Sequence, residues 1–266
     1  MRAEPGQAPT WALDLDGVVW LAGRALPGAA QAVAVVRSAG RRVVFLTNNS
    51  GPLLREHVAA LGAVGIPCGP EDVATSAQAA AALLEPGSRV AMVGDRGLAE
   101  ALADRALDVV APDDHPAALV VGRTLQLDYA ELSAAATAVR EGARFIATNT
   151  DATFPTPERL LPGAGAVVAF VATAAGRQPE VAGKPGTAMV ELVDRRYGGV
   201  EWMVGDRADT DGAFARLAGA RFGLVLSGVT KATDLPVEPS PDLVADDLAG
   251  LVGSVLGLAP PPVTAP

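Results

Sequence analysis

The stretch WALDLDGVVW, residues 11–20, closes an apolar run with two carboxylates, Asp14 and Asp16, and then a glycine, Gly17. Alternate residues of an extended strand share a face at about 3.3 Å per residue, so this spacing places the two carboxylates on one side, roughly 7 Å apart. Gly17 permits a sharp bend just after the second acid. Carboxylates this close repel each other, and a bound cation or a shared proton offsets the repulsion. Taken alone, DxDG is as typical of a strand end with an Asp-Gly turn as of a ligand site.

The composition limits the classes of protein that this chain can represent. Its 266 residues suffice for one large or two modest domains, and 50% hydrophobic with 19% charged residues is typical of a soluble globular protein. The net charge of -9 argues against nucleic-acid binding, which requires basic clusters to neutralise phosphates. A phosphate ligand would therefore need a metal ion or a few local cations beside it.

Cysteine content and hydropathy indicate the compartment. A lone cysteine, Cys68, excludes a disulfide within the chain and fits a reducing environment. The first residues contain no apolar signal segment, and no uninterrupted apolar run reaches the roughly 18 residues of a membrane span. We therefore predict a cytoplasmic protein without a membrane segment, and a disordered tail at the Pro-rich residues 259–266.

Strand-like and helix-like segments alternate along the chain after the first strand. Residues 41–50 are a β-branched run that ends in TNNS, and residues 200–204 are an apolar run followed by a Gly-Asp pair. The segments between such runs carry apolar residues at helical spacing. His57 falls among polar neighbours in one of them, so we expect it on the surface. Alternation of this kind predicts an α/β fold of parallel strands joined by right-handed crossovers.

Two repeated strings and a glycine pair have simpler explanations than a ligand site. VGDRG at 93–97 resembles VGDRA at 204–208, but only an ordinary amphipathic helix follows Asp95, so we expect Asp95 to cap that helix. FIATNTD at 145–151 resembles the FLTNNS run, and a loop with Asn149, Asp151 and Phe154 would be able to face a substrate. Gly163-x-Gly165 lacks the third glycine of a dinucleotide fingerprint and predicts instead a helix packed closely against a sheet.

Polar groups end several of the apolar segments. Ligands of open α/β sheets bind outside the carboxyl ends of the parallel strands. Each group alone fits a turn, a helix cap or a loop lysine. Chance placement of all of them at strand ends is improbable. The groups are Asp14 with Asp16, Thr47, Lys184, and Asp206 with Asp211.

The chemistry that these residue types favour is phosphoryl transfer. A carboxylate such as Asp14 can attack phosphorus, while Asp16 protonates the leaving alkoxide and later takes a proton from water. Thr47 and Lys184 would hold the phosphoryl oxygens. Mg²⁺ takes one or two carboxylates together with phosphate and water, and Asp14, Asp206 and the main-chain carbonyl of Asp16 would meet that demand.

The set DLDGV, LTNNS, GKP and GDRADTD resembles the four motifs of the haloacid dehalogenase superfamily. Their arrangement is similar to the NagD-like branch, which holds p-nitrophenyl phosphatases, phosphoglycolate phosphatases and related sugar- or nucleotide-phosphate phosphatases. The resemblance implies a Rossmann-like parallel-sheet core at residues 1–78 and 181–258 with an inserted α/β cap of the C2 type at residues 79–180. By analogy it also suggests a homodimer through the cap.

Roles follow from the resemblance residue by residue. Asp14 corresponds to the nucleophile and Asp16 to the general acid and base. Phosphate holders, metal ligands and residues at the substrate entrance make up the rest of the implied site: Thr47 and Lys184 hold phosphate, Asp206 and Asp211 serve the metal, and Asn48, Asn49, Asn149 and Phe154 face the substrate. The substrate would be a small phosphate monoester, namely glycerol phosphate, phosphoglycolate, a sugar phosphate or a nucleoside monophosphate.

Other readings use the same residues. A phosphomutase, another phosphotransferase, a phosphonate hydrolase or a dehalogenase would be able to use the same core, although a dehalogenase requires neither Asp16 nor the metal. A non-catalytic phosphate-binding protein has no need of a proton donor at position 16. A signalling receiver domain also combines acids, Thr and Lys around Mg²⁺, but it is about half as long as this chain.

Overall fold

The computed structural model describes residues 8–156 and 159–258. The predicted disordered tail, residues 259–266, lies outside the described residues. The chain divides into two compact units. The first takes in the described residues through Phe45, residues Ala63–Ile66 and those from Tyr197 onwards, and the second takes in Leu46–Gly62 and Pro67–Arg196. The predicted cap falls within the second unit, and its boundaries stay a prediction.

Strands occur along both units. They are β1 (Thr10–Asp14), β2 (Trp20–Leu21), β3 (Arg24–Ala25), β4 (Arg42–Thr47), β5 (Val73–Thr75), β6 (Arg89–Val93), β7 (Asp108–Val109), β8 (Ala118–Val121), β9 (Arg144–Ala147), β10 (Thr153–Pro155), β11 (Leu160–Pro162), β12 (Glu180–Val181), β13 (Trp202–Gly205), β14 (Arg221–Val225) and β15 (Leu243–Ala245). Short strands of this kind, separated by helices, are expected of an α/β protein.

Helices follow most of the strands. They are α1 (Ala29–Ser38), α2 (Leu54–Ala63), α3 (Ser76–Ala82), α4 (Arg96–Asp104), α5 (Tyr129–Arg140), α6 (Ala164–Ala175), α7 (Thr187–Tyr197), α8 (Ala213–Ala218) and α9 (Leu248–Leu256). No helix in the described ranges has the length and apolar character needed to cross a membrane.

In the sheet of the first unit, β1, β13 and β14 are apolar segments that bury nearly all their side chains, whereas β15 is only partly buried. β1, β13, β14 and β15 pair in parallel in the spatial order β15-β14-β13-β1, and β4 lies on the other side of β1. Trp11 lies level with Trp202, and Leu13 lies level with Val204. α8 packs on β13 and β14, and α9 packs on β14 and β15. Because the register is parallel, the carboxyl ends of β1 and β13 lie side by side.

The second unit contains its own parallel sheet, in the order β12-β9-β8-β6-β7. α5 and α6 pack together over a core that includes Leu119, Phe145 and Val171. β10 and β11 form an antiparallel hairpin. Both units therefore show the parallel strands and crossover helices that the alternating pattern predicts, and the predicted α/β class is confirmed.

The prediction that His57 lies on the surface is wrong. Leu53, His57 and Leu61 recur at helical spacing, and all three are buried, with His57 only 4% exposed. Burial lowers the pKa of the imidazole from its usual 6.5, although a hydrogen bond with the backbone of Asn49 works in the opposite direction. The polar residues next to His57 in the sequence lie on other faces of α2, so they do not report its environment.

His57 is expected to make the free energy of unfolding depend on pH. Its folded pKa is lowered, so below the usual value of 6.5 the unfolded chain binds a proton that the folded chain does not. Stability is therefore present above that value and is lost as the pH falls. Between about pH 7.5 and about pH 5.5 the wild type should lose more stability than His57→Gln, by at most about 1.4 kcal/mol per pH unit.

Urea unfolding at the two pH values measures this difference. The matched control is His115→Gln, because His115 is the other histidine and its side chain is 85% exposed. The control should keep the pH dependence of the wild type. Equal losses in the wild type and in His57→Gln would show that this imidazole does not cause the effect.

Candidate active site

Three acids gather at the carboxyl ends of β1 and β13. Asp14 is the last residue of β1, Asp206 directly follows β13, and Asp211 lies in a π-helical turn, Ala208–Gly212. One carboxylate oxygen of each lies within 4.8 Å of the others. Asp206 and Asp211 are 3% and 1% exposed. The first unit therefore brings these three acids together, as the sequence predicts.

Glycines leave the space that the carboxylates of Asp206 and Asp211 occupy. A Cβ atom at Gly17 or Gly228 would collide with the carboxylate of Asp206, and one at Gly205 would collide with that of Asp211. Gly17 also has a positive φ of 84°, which disfavours other residues there. Backbone N–H groups hold the same carboxylates, since Val229 donates to Asp206 and Arg207 donates to Asp211.

Asp16 does not continue the strand that Asp14 ends. The carbonyl of Leu15 accepts a hydrogen bond from the N–H of Val19 at 2.9 Å, so the chain turns directly after β1. The indole N–H of Trp20 donates to Oδ1 of Asp16 at 3.2 Å. The expectation of two acids on one extended strand is wrong in this respect, because the strand ends at Asp14, two residues earlier than DxDG suggests. The side chain of Asp16 is not a member of the acidic cluster.

The acidic cluster has the donor chemistry of a magnesium site. Mg²⁺ is a hard cation that prefers oxygen ligands, and it commonly takes one or two carboxylates with water and phosphate in the remaining positions. Carboxylates held this close in a buried place repel one another, and a divalent cation lowers that repulsion. The residues present therefore fit the predicted ion.

The second unit brings Thr47 and Lys184 into one group of loops. Thr47 ends β4, is 2% exposed, and its hydroxyl accepts a hydrogen bond from the N–H of Asn49 at 3.0 Å. Lys184 is 3% exposed, and its ammonium donates to the carbonyl of Leu46 at 3.3 Å. Asn49 accepts from the N–H of Gly51 through its side chain at 3.2 Å. A buried threonine, and a buried lysine whose ammonium contacts the residue before that threonine, suit an anionic ligand.

Asn48 joins this group together. Its side-chain oxygen accepts from the N–H of Lys184 at 2.8 Å, and its amide donates to the carbonyl of Lys184 at 3.0 Å and to Asp151 at 3.2 Å. Its own carbonyl accepts from the Ser76 hydroxyl and the Asn149 amide, each at 2.6 Å. Asn48 is 9% exposed. Its hydrogen bonds fix the backbone at Lys184. Its predicted substrate contact stays a prediction.

The loop after β9 contains the remaining predicted residues. Asn149 is 4% exposed, and its side-chain oxygen accepts from the N–H of Asp151 at 3.1 Å. Phe154 lies in β10, where its ring faces the guanidinium of Arg123 at 4.7 Å. Gly163 and Gly165 allow α6 to approach this loop, because a Cβ at either would collide with its backbone carbonyls. The expected close packing of these glycines is thus made against a loop, not a sheet.

Arg123 is a residue that the sequence reasoning missed, and it changes the account of Asp95. Asp95 lies at the position that precedes α4, as predicted, but its carboxylate makes no capping hydrogen bond. It pairs instead with Arg123, at 3.3 Å. The only sequence signal for Arg123 is a basic residue just after the apolar β8, which is too weak to single it out.

Comparisons with known proteins agree with this arrangement. Residues 11–108 match the model of haloacid dehalogenase-like hydrolases, and residues 181–251 match a second model of HAD-like hydrolases. D-glycerol 3-phosphate phosphatase of Mycobacterium tuberculosis is 41% identical over 261 residues, which covers 94% of this chain and 73% of that protein. Phosphoglycolate phosphatase 2 of Arabidopsis thaliana is 32% identical, with 85% of each chain covered.

Solved structures show the same relationship. The crystal structure of glycerol phosphate phosphatase from Mycobacterium tuberculosis in complex with magnesium matches with a TM-score of 0.86 and 38% identity, covering 94% of this chain and 78% of that chain. NagD from E. coli matches with a TM-score of 0.83 and 28% identity, covering 91% and 98%. The chain belongs to the haloacid dehalogenase-like hydrolases. Within that family its relatives include NagD and the p-nitrophenyl and glycerol phosphate phosphatases, so the predicted class of enzyme, a phosphatase, is confirmed.

Proposed function

We propose that this chain is an Mg²⁺-dependent phosphatase that hydrolyses a small organic phosphate monoester through a phosphoryl group carried on Asp14. The observation that carries the proposal is the cluster of Asp14, Asp206 and Asp211, whose carboxylate oxygens lie within 4.8 Å of one another at strand ends. Support comes from relatives named D-glycerol 3-phosphate phosphatase, acid sugar phosphatase (of Staphylococcus saprophyticus) and phosphoglycolate phosphatase 2.

The proposed reaction has two steps. A carboxylate oxygen of Asp14 attacks phosphorus, the bond from phosphorus to the ester oxygen breaks, and Asp16 gives its proton to the leaving alkoxide. Asp16 then takes a proton from water as that water attacks phosphorus, which releases inorganic phosphate and restores the carboxylate of Asp14. The indole of Trp20 steadies Asp16 through its hydrogen bond.

Charge on the transferred group needs stabilisation throughout. The hydroxyl of Thr47 and the ammonium of Lys184 are the proposed partners of its equatorial oxygens. Bound Mg²⁺ supplies further electrostatic stabilisation of that charge. Asp14, Asp206 and the main-chain carbonyl of Asp16 would hold the ion, and Asp211 would support them.

Further parts of the proposal concern substrate access and assembly. A cap at residues 79–180 would exclude water and select the leaving group, with Asn49, Asn149 and Phe154 toward the substrate. A homodimer and a cytoplasmic location also stay predictions.

A turnover panel tests the proposed function. The purified protein is incubated with p-nitrophenyl phosphate, glycerol 3-phosphate, phosphoglycolate, a sugar phosphate and a nucleoside monophosphate, each with Mg²⁺ or with a chelator. We expect inorganic phosphate to be released from at least one ester in the presence of Mg²⁺ alone. Movement of the phosphoryl group to an acceptor would indicate a phosphotransferase or phosphomutase. Binding without turnover would indicate a non-catalytic phosphate-binding protein.

A further inference from the structure

Arg123 and Asp95 form a charged pair in the second unit that none of the roles above uses. Nη2 of Arg123 lies 3.3 Å from Oδ2 of Asp95, and the two side chains are 14% and 24% exposed. The backbones are joined as well, since the N–H of Asp95 donates to the carbonyl of Arg123 at 3.0 Å. The pair is therefore largely buried and held in one geometry, yet part of each side chain is open to a ligand.

The guanidinium of Arg123 packs against Phe154 and Gly51. The ring of Phe154 lies 4.7 Å from its central carbon. Gly51 lies against it on another side, because a Cβ at that position would collide with the guanidinium. Its Nε is fully buried and has no hydrogen-bond partner among the described residues. A buried donor without a partner costs stability. Local rules of this kind are often broken at functional sites, which is why we ask whether the other N–H groups of Arg123 bind a ligand.

The pair lies in the same group of loops as the proposed phosphate holders. The N–H of Arg123 donates to the hydroxyl of Ser50 at 3.2 Å, and Ser50 is three residues beyond Thr47. Phe154 lies three residues after Asp151, whose carboxylate accepts from Asn48. Asn48 in turn binds the backbone of Lys184. Hydrogen bonds therefore connect the loop that carries Arg123 to the loops that carry Thr47 and Lys184.

We infer that Arg123 and Asp95 form a subsite for the hydroxyl groups of the leaving alcohol, so that the substrate is a polyol or sugar phosphate and not a carboxylate-bearing ester. The inference rests on the proposed function and specifies its substrate. A hydroxyl both donates and accepts, which matches a guanidinium beside a carboxylate. A substrate carboxylate only accepts, and Asp95 already balances the charge of Arg123 and would repel it.

Selectivity among three esters tests the inference. The esters are glycerol 3-phosphate, phosphoglycolate and p-nitrophenyl phosphate, whose leaving groups carry hydroxyls, a carboxylate and neither. The wild type should show a higher kcat/KM for glycerol 3-phosphate than for phosphoglycolate. Arg123→Gln should lower the ratio of kcat/KM for glycerol 3-phosphate to that for p-nitrophenyl phosphate at least about tenfold. Arg123→Lys keeps the positive charge but lacks the planar, multi-donor guanidinium. It replaces the glutamine variant in this test if that variant does not fold.

Asp95→Asn is expected to shift the selectivity toward the carboxylate-bearing ester. It removes the negative charge at constant size, and no capping hydrogen bond is lost with it. The ratio of kcat/KM for glycerol 3-phosphate to that for phosphoglycolate should fall at least about tenfold, because the guanidinium then attracts a carboxylate. The matched control is Arg96→Gln, which breaks a nearby exposed pair with Glu56 and should leave both ratios unchanged.

Each outcome decides one question. Unchanged ratios in folded variants would overturn the subsite, and so would an equal fall of kcat/KM for all three esters, which indicates a purely structural pair. A wild type that prefers phosphoglycolate would overturn it as well. A wild type that releases phosphate from no ester would instead overturn the proposed function on which the subsite rests.

Discussion

Asp14→Asn is expected to lower Mg²⁺-dependent release of phosphate from p-nitrophenyl phosphate at least ~10³-fold, which corresponds to about 4 kcal/mol of activation free energy. The amide has nearly the size of the carboxylate and ends β1 in the same place. It lacks the negative oxygen that attacks phosphorus, so no phosphoryl group can be carried on this residue. The proposed leaving-group proton from Asp16 cannot replace that bond-forming step.

The same substitution removes one charge from the acidic cluster, and the experiment must separate the two effects. Weaker binding of Mg²⁺ would be overcome by raising its concentration, whereas the loss of a nucleophile would not. We therefore expect turnover of Asp14→Asn to stay low at saturating Mg²⁺. Mass spectrometry of acid-quenched wild type should also find a phosphoryl group on the peptide that contains Asp14, and the variant should lack it.

Asp209→Asn is the matched control for the acid substitution. Asp209 lies in the same π-helical turn as Asp211, but its carboxylate pairs with Arg207 and is 66% exposed. The hydrogen bond from Arg207 holds the pKa of Asp209 below its usual value, so the residue is a charged surface acid. Its variant should keep activity within about threefold of the wild type. Near wild-type turnover in Asp14→Asn would remove Asp14 as the nucleophile.

The acidic cluster could be predicted because strand ends are a local feature. An apolar run that closes in an acid is visible in the sequence, and parallel strands bring their carboxyl ends to one edge of a sheet. Asp14 and Asp206 required no more than this. Asp211 required one further step, a helical turn that brings it back toward Asp206.

Contacts between distant segments could not be predicted in the same way. Asn48 looks like a turn residue, but Ser76, Asn149 and Lys184 decide its partners. Arg123 shows only a weak sequence signal, since its geometry depends on Phe154 and Asp95. Helical spacing alone would have placed His57 with Leu61 on a buried face, so that error came from weighing sequence neighbours over spatial ones. The contacts of these polar residues are made with loops distant in the sequence, and the position of those loops depends on the whole fold.

Lys184→Ala is expected to remove at least about 2 kcal/mol of transition-state stabilisation, roughly a thirtyfold fall in kcat/KM. Lys184 is 3% exposed as a whole residue, so water screens its charge little and its interaction with a phosphoryl group is strong. Asn48 fixes the backbone at Lys184 through two hydrogen bonds, so the charge is already in place before substrate binds. Preorganised charge of this kind lowers the barrier without a cost of reorganisation.

A fall in kcat/KM of Lys184→Ala could also come from the cavity that the small side chain leaves. Lys184→Met tests that explanation, because it fills most of the cavity. Methionine keeps most of the aliphatic stem and lacks the charge, so its kcat/KM should fall about as far as that of the alanine variant. The matched control is Lys231→Met, which changes the chain's other lysine, an exposed one, and should have little effect. Thermal unfolding checks that all variants are folded. If Lys184→Met keeps wild-type kcat/KM while Lys184→Ala loses it, packing and not charge explains the loss, and Lys184 does not hold the phosphoryl oxygens.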